Sequence, residues 1–243
     1  MTSLEVPVAV CKIALLPSLA LAVLVSAGAA RADGLTARPV VVELFTSQGC
    51  SSCPPANENL ARISGRPGVL ALSFGVTYWD YLGWRDSFAK PEFTARQYAY
   101  ERSLHEATAF TPQMVVNGST DTIGNDLGKL DALMAHSVGD QTDPPALTLS
   151  NGKVSIGAGP APAAGADVWL VRYDPNIVEV PVARGENGGR TLPHKNVVHE
   201  LVRLGAWTGA AEDFALPSPQ GGLRTAILVQ TAATGPILAA ASD

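Results

Sequence analysis

Cysteine is scarce in this chain of 243 residues: there are three, Cys11, Cys50 and Cys53. Cys11 falls in an N-terminal segment that reads as a signal to be removed, which leaves a pair three positions apart. Two cysteines so close cannot staple distant parts of a fold, so a disulfide framework is excluded. A structural zinc site needs about four ligands, and no second C-x-x-C exists to supply them. Charge of one sign is not concentrated either. The chain carries 17 Lys and Arg against 22 Asp and Glu, a formal −5, and no basic cluster, which speaks against a nucleic-acid partner. No apolar run reaches the ~20 residues of a membrane-spanning helix. Internal repeats are absent. A hydrophobic content of 47% with 16% charged residues fits a globular protein large enough for a real core.

Residues 1–32 are expected to be a secretory signal peptide. Lys12 precedes an apolar stretch from Ile13 to Val25, and small residues follow to Ala30-Arg31-Ala32, with cleavage expected before Asp33. This predicts a periplasmic or secreted protein with no transmembrane anchor after processing. Cys11 lacks the small-residue run of a lipoprotein site.

Two textures divide the rest. From 39 to 138 strands and helices alternate: a strand over Val40–Thr46, a helix to about Ser64, an apolar run from Val69 to Val76, and a helix over Pro91–His105. A strand at Gln113–Val116 then leads to the Asn117-Gly118 turn, and an amphipathic helix over Asp126–Ser137 closes the half. This order predicts an α/β core. After a linker at 139–145, short alternating runs predict a β-rich, sandwich-like region over 146–243, packed on the first half or following it. Among them are 147–149, 154–156, 168–173, 177–180 and 225–230. Asn196–Trp207 suits helix or strand, and its neighbours favour strand. Gly157–Gly165 reads as a loop.

The chemistry concentrates where the first strand meets Gly49-Cys50-Ser51-Ser52-Cys53-Pro54-Pro55. A C-x-x-C between an apolar strand and a helix is the arrangement of a dithiol redox site. Unpaired N–H groups and the dipole at the helix N-terminus favour a thiolate, and such settings bring a thiol from about 8.5 to roughly 3.5–7.5. Cys50 is expected to be the exposed nucleophile, and Cys53, one turn further in, the resolving partner.

Phe110-Thr111-Pro112-Gln113-Met114-Val115-Val116-Asn117-Gly118 resembles the segment in which thioredoxin-fold oxidoreductases hold a cis-proline beside the dithiol. The resemblance implies that Pro112 is cis and that Thr111 and Pro112 hold a substrate strand alongside. Val41-Val42-Glu43-Leu44-Phe45-Thr46-Ser47-Gln48-Gly49-Cys50-Ser51-Ser52-Cys53-Pro54-Pro55 goes closer. It resembles the signature of a secreted thioredoxin-like family of bacteria, the domain of unknown function 1223. So do Tyr78-Trp79-Asp80-Tyr81-Leu82-Gly83-Trp84 and Arg184-Gly185-Glu186-Asn187-Gly188-Gly189-Arg190-Thr191-Leu192. The resemblance implies a thioredoxin-like fold and leaves the substrate unknown. The chain departs from ordinary thioredoxins at Gly49, where an aromatic residue is usual, and in its Ser-Ser dipeptide.

Thioredoxin-like enzymes often bury a carboxylate on the first strand to move a proton at the inner thiol. Glu43 is placed to do this for Cys53, or else to pair with a basic residue. The aromatic run Tyr78–Trp84 suits either a contact surface near the dithiol or a plug in the core, while Asp80 and Asp86 suit loop caps. The segment Arg184–Asn196 suits a glycine-rich hairpin loop or an anion site. His194 and His199 could join the cysteines around copper or zinc.

The function expected is a thiol–disulfide oxidoreductase. Cys50 and Cys53 carry the electrons, so no bound cofactor is required. Its substrate would be a protein or small-thiol disulfide, and a membrane redox partner could reset the pair. The rivals are a metal-handling protein and a non-redox binding module on the same scaffold.

Overall fold

The structure is a computed structural model that describes residues 1–5, 38–137, 143–150 and 152–243. The expected signal peptide from residue 6 onward and most of the expected linker lie outside the described residues. Two units separate, Met1–Asp33 and Gly34–Asp243, and the fold belongs to the second. No helix among the described residues is long and apolar enough to cross a membrane.

Strand β1 (Val40–Thr46) is buried along its whole length. Alternation sends Val42 and Leu44 to one face, where helix α1 (Pro54–Ser64) packs Ala56, Leu60 and Ile63 against them. Pro54 opens that helix, a position where its missing N–H removes no bond. Strand β2 (Val69–Gly75) runs parallel to β1, and helix α2 (Pro91–Ser103) crosses the other face. Strands β3 (Gln113–Val116) and β4 (Thr120–Ile123) form the expected hairpin, with β3 antiparallel to β1. Gly118 is required in its turn: φ is +66°, and a Cβ there would stand 2.6 Å from the Gly235 carbonyl oxygen. Helix α3 (Leu127–Ser137) adds Leu130 and Met134 to the α1 side.

The remaining strands are β5 (Leu147–Ser150), β6 (Lys153–Ile156), β7 (Ala166–Pro181), β8 (Thr191–Trp207), β9 (Glu212–Ala215), β10 (Arg224–Thr231) and β11 (Ile237–Ser242). The runs at 168–173 and 177–180 belong to one strand, β7, whose pairing with β8 shifts register three times along its length. Asn196–Trp207 is strand. A sandwich-like layer exists, but only locally. The sheet β5-β6-β9 lays Leu147, Val154, Ile156 and Phe214 over Val168, Leu170, Ile227 and Val229.

The four longer C-terminal strands do something the sequence did not announce. They continue the first sheet edge to edge, giving the order β11-β10-β7-β8-β2-β1-β3-β4. β8 joins β2 in parallel at Ser73 and Val197. The sheet curls until its far end meets its beginning: Ile237 N donates to Asn117 O at 2.8 Å, and Asn117 Oδ1 accepts from Val41 N at 2.7 Å. α2 packs in the concave side, where Phe45, Phe74, Phe93 and Tyr100 meet Val171, Leu228 and Ile237 in a single core. The result is a mixed α/β fold around one large mixed sheet.

Candidate dithiol site

After β1 the chain makes two successive turns, with Cys50 N bonded to Ser47 O and Cys53 N to Cys50 O, both at 3.2 Å. Because α1 starts at Pro54, Cys53 is its N-cap and Cys50 lies in the turn ahead of it. Both thiols are free. Cys50 is not the exposed residue expected: like Cys53 it is 0% exposed. The cause is the segment between β7 and β8, which folds over the motif. Asn187, itself fully buried, donates through Nδ2 to Gln48 O at 3.0 Å and to Cys50 O at 2.8 Å. Glu186 Oε2 accepts from Ser51 N at 2.9 Å and from Ser51 Oγ at 2.7 Å, and Arg190 Nη1 donates to Asn187 Oδ1 at 2.7 Å.

The aromatic segment closes the other side. Gly49 leaves room for Trp79, whose Cβ would lie 3.3 Å from a Cβ added at Gly49. The Trp79 indole N–H donates to Thr111 Oγ1 at 2.8 Å, and Thr111 Oγ1 donates to Cys50 Sγ at 3.3 Å. The indole thus aims the Thr111 hydroxyl hydrogen at the sulfur. Ser52 Oγ stands 3.2 Å from the same sulfur. The Thr111–Pro112 peptide bond is cis. Trp84 Nε1 donates to Gln48 Oε1 at 2.9 Å, so the aromatic run is a plug in part, while Tyr81 remains exposed. Asp86 caps the Gln48 N–H at 2.7 Å and the Phe88 N–H at 2.8 Å; burial raises its carboxyl to about 6.

These contacts split the two thiols. The hydrogen bond with Cys53 leads the causes that lower Cys50 from 9.0 to about 6; Ser52 and Thr111 add to it, and burial works against them. Cys53 moves the other way, raised by burial first and then by the neighbouring Cys50. At neutral pH Cys50 is the thiolate and Cys53 the thiol.

Glu43 is not brought to the dithiol. Its parity on β1 puts it with Val41 and Phe45 on the α2 face, whereas α1 and Cys53 lie over the opposite one. There Arg96 donates to both carboxylate oxygens, Nε at 2.7 Å and Nη2 at 3.0 Å, and the Tyr100 hydroxyl donates to Oε2. Gln230 Oε1 accepts from Arg96 Nη2 at 3.0 Å, and Gln230 Nε2 donates to Tyr100 at 2.8 Å, tying β10 to β1 through α2. The basic-partner alternative describes this residue. His194 and His199 stand against the Phe88 ring at 5.4 and 6.1 Å, and the described residues contain no group of three or more His, Cys, Asp or Glu that could hold a metal.

Sequence reasoning missed the roles of Trp79, Asn187 and Ser52, although it marked all three within their segments. It offered no signal for Thr46 and Asn57, which bond each other beneath the motif at 2.9 Å.

Among solved structures, protein AGR_C_4864 from Agrobacterium tumefaciens is similar over 84% of this chain and 92% of its own, at 35% identity and a TM-score of 0.69. HBP35 of Porphyromonas gingivalis shares the fold over 85% of this chain and 74% of its own, at 17% identity and a TM-score of 0.56. No curated protein matches the chain. The profile of the proteins of unknown function designated DUF1223 matches residues 41–230, from β1 through most of β10, and the chain belongs to that family.

Proposed function

We propose that this chain is a periplasmic or secreted thiol–disulfide oxidoreductase on a thioredoxin-like frame. The N-terminal A-x-A pattern supports the location. The observation that carries the activity is the split between the thiols: Cys50 lowered to about 6 among three hydrogen-bonding side chains, and Cys53 held as a thiol behind it.

In the reducing direction the Cys50 thiolate attacks a substrate disulfide. A bond forms between Cys50 and one substrate sulfur, and the other sulfur leaves and takes up a proton. Cys53 then attacks the Cys50 sulfur, forming the Cys50–Cys53 disulfide and releasing the second substrate thiol. Two electrons pass to the substrate, and the reverse sequence oxidises a dithiol. Thr111 and Pro112 flank the reacting sulfur as the partner's contact. A second protein or small-thiol couple, such as a membrane redox protein, resets the pair. Since the 184–190 segment covers Cys50, substrate reaches the sulfur when the Asn187 bonds open.

The test is the reduction potential of the pair against glutathione, followed by alkylation of the thiols. A value of about −120 mV marks a disulfide donor and one of about −270 mV a reductant. Failure to cycle between dithiol and disulfide would overturn the proposal.

A further inference from the structure

Where α1 faces the β7–β8 pair, two polar atoms have no partner among the described residues: Asn57 Nδ2 and His194 Nε2. Both residues are more than nine-tenths buried, at 4% and 3% exposed. Buried polar atoms in native proteins are almost always satisfied, so two together mark a place that something else completes. Both residues line one cavity of about 280 Å³, far more than a single water needs. Arg62 of α1 and Lys195 of β8 stand at the same cavity, as does Ile177 of β7, which is 57% exposed. Unmet polar atoms, two cations and an exposed branched apolar side chain thus meet at one concave place. That is the mixture small-molecule sites use.

The polar groups agree in sign. Asn57 Oδ1 accepts from Thr46 Oγ1 at 2.9 Å, so the unmet end of that amide is Nδ2, which can only donate. Burial lowers His194 to about 4, so its imidazole is neutral near pH 7 and can carry its hydrogen on Nε2. Arg62 meets Glu58 across 4.0 Å, with both side chains more than half exposed, and Lys195 gives one of its three hydrogens to Pro175 O. Four donor groups stand against the single carboxylate of Glu58. They call for a ligand that accepts hydrogen bonds and carries one negative charge. Two neutral donors suit the two oxygens of a carboxylate, and a cation nearby strengthens such bonds. A phosphate fits less well, because Glu58 repels a second charge and Ile177 offers nothing to a polar face.

We propose that the cavity between α1 and the β7–β8 pair is a binding site for a small organic monocarboxylate. The carboxylate oxygens accept from Asn57 Nδ2 and His194 Nε2, which gives both buried atoms their missing partner. Arg62 and Lys195 supply the counter-charge at the exposed edge. A short apolar body lies on Ile177, and the volume limits that body to a few carbons. Nothing in this site requires the thiols to react, so it stands apart from the dithiol function.

The test is a ligand-observed NMR titration of the whole chain with butyrate, with butyramide as its uncharged isostere and inorganic phosphate as the fully polar anion. Butyrate is expected to saturate with a Kd of about 1 mM, ordinary for a ligand of so few atoms, and butyramide to bind about tenfold more weakly. His194→Phe keeps a ring against Phe88 but cannot donate, and should weaken butyrate about tenfold. Arg62→Met and Lys195→Met keep the length of the side chain and remove its charge, and each should weaken butyrate about threefold. Equal affinity for butyrate and butyramide overturns the carboxylate assignment, as does tighter binding of phosphate. A butyrate Kd unchanged in all three variants, or no saturation of the wild type, overturns the site and leaves water as the partner of the two buried atoms. None of these results touches the dithiol function, which its own potential measurement decides.

Discussion

Glu43 and Thr46 sit three residues apart on β1, on opposite faces, and each anchors a buried polar cluster of a different kind. Around Glu43 nearly every bond is made. Arg96 grips both oxygens, Tyr100 and Gln230 close the ring, and the guanidinium lies against the Tyr100 and Trp169 rings at 5.2 and 5.6 Å, with Nη1 alone lacking a hydrogen bond. Around Thr46 and the cysteines the donors converge on Cys50, yet Asn57 Nδ2 and His194 Nε2 have no partner among the described residues. A filled network holds one arrangement and locks β10 to β1. Under the dithiol function proposed above, the cysteines that gain and lose protons lie on the face whose polar neighbours are less completely bonded.

That contrast can be broken most directly at Cys50. Cys50→Ser removes the attacking thiolate and should lower disulfide exchange by about a thousandfold or more. Cys53→Ser should instead leave the substrate attached to Cys50, visible as added mass. On the other face, Glu43→Leu strands Arg96 without its counter-charge and should lose about 3–5 kcal/mol in urea unfolding. If the clusters are separate, the Cys50 alkylation midpoint in that variant matches that of the wild type, expected at about 6. A shifted midpoint would join the two.

Thr111→Val sharpens the dithiol side. Its hydroxyl favours the charged form, and a hydrogen bond to a charged group contributes about 1.5 kcal/mol, so the Cys50 midpoint should rise by about one pH unit. Thiolate reactivity is present above the midpoint and lost as pH falls through it, so the variant loses its iodoacetamide reaction at a higher pH than the wild type. The smallest effect is expected from Asn187→Ala. It frees the cover over Cys50 and should raise the alkylation rate at alkaline pH about threefold, while removing bonds of about 1 kcal/mol each from stability.

Much of the first half was legible because its signals are local. The mostly apolar β1, the prolines opening α1 and α2, and the Asn117-Gly118 turn each specify structure within a few residues. Cys50 and Cys53 were found the same way, Thr111 and Pro112 through a resemblance to thioredoxin-fold oxidoreductases, and the structure gathers all four. The two readings of Glu43 could not be separated because its partner Arg96 lies 53 positions further along the chain, and Gln230, which bonds Arg96, another 134 beyond that. The burial of Cys50 was missed for a similar reason: Asn187 is 137 positions away. β7 and β8 could not be joined across their irregularities by period-2 alternation, since each register shift changes which face a residue takes.

By itself the sequence determined the alternation of strands and helices up to α3, the β character of the remainder, and a dithiol beside a Thr-Pro segment. The first two follow from periodicity and turn chemistry, short-range properties of the chain, and the place of the Thr-Pro segment beside the dithiol was implied by the resemblance to thioredoxin-fold oxidoreductases. Only the tertiary structure decided that the C-terminal strands extend and curl the first sheet. It alone put Asn187 and Trp79 over Cys50, and Asn57 and His194 around one cavity. Edge-to-edge strand pairing and side-chain contacts across more than a hundred residues depend on which surfaces are buried together, and no local pattern records that.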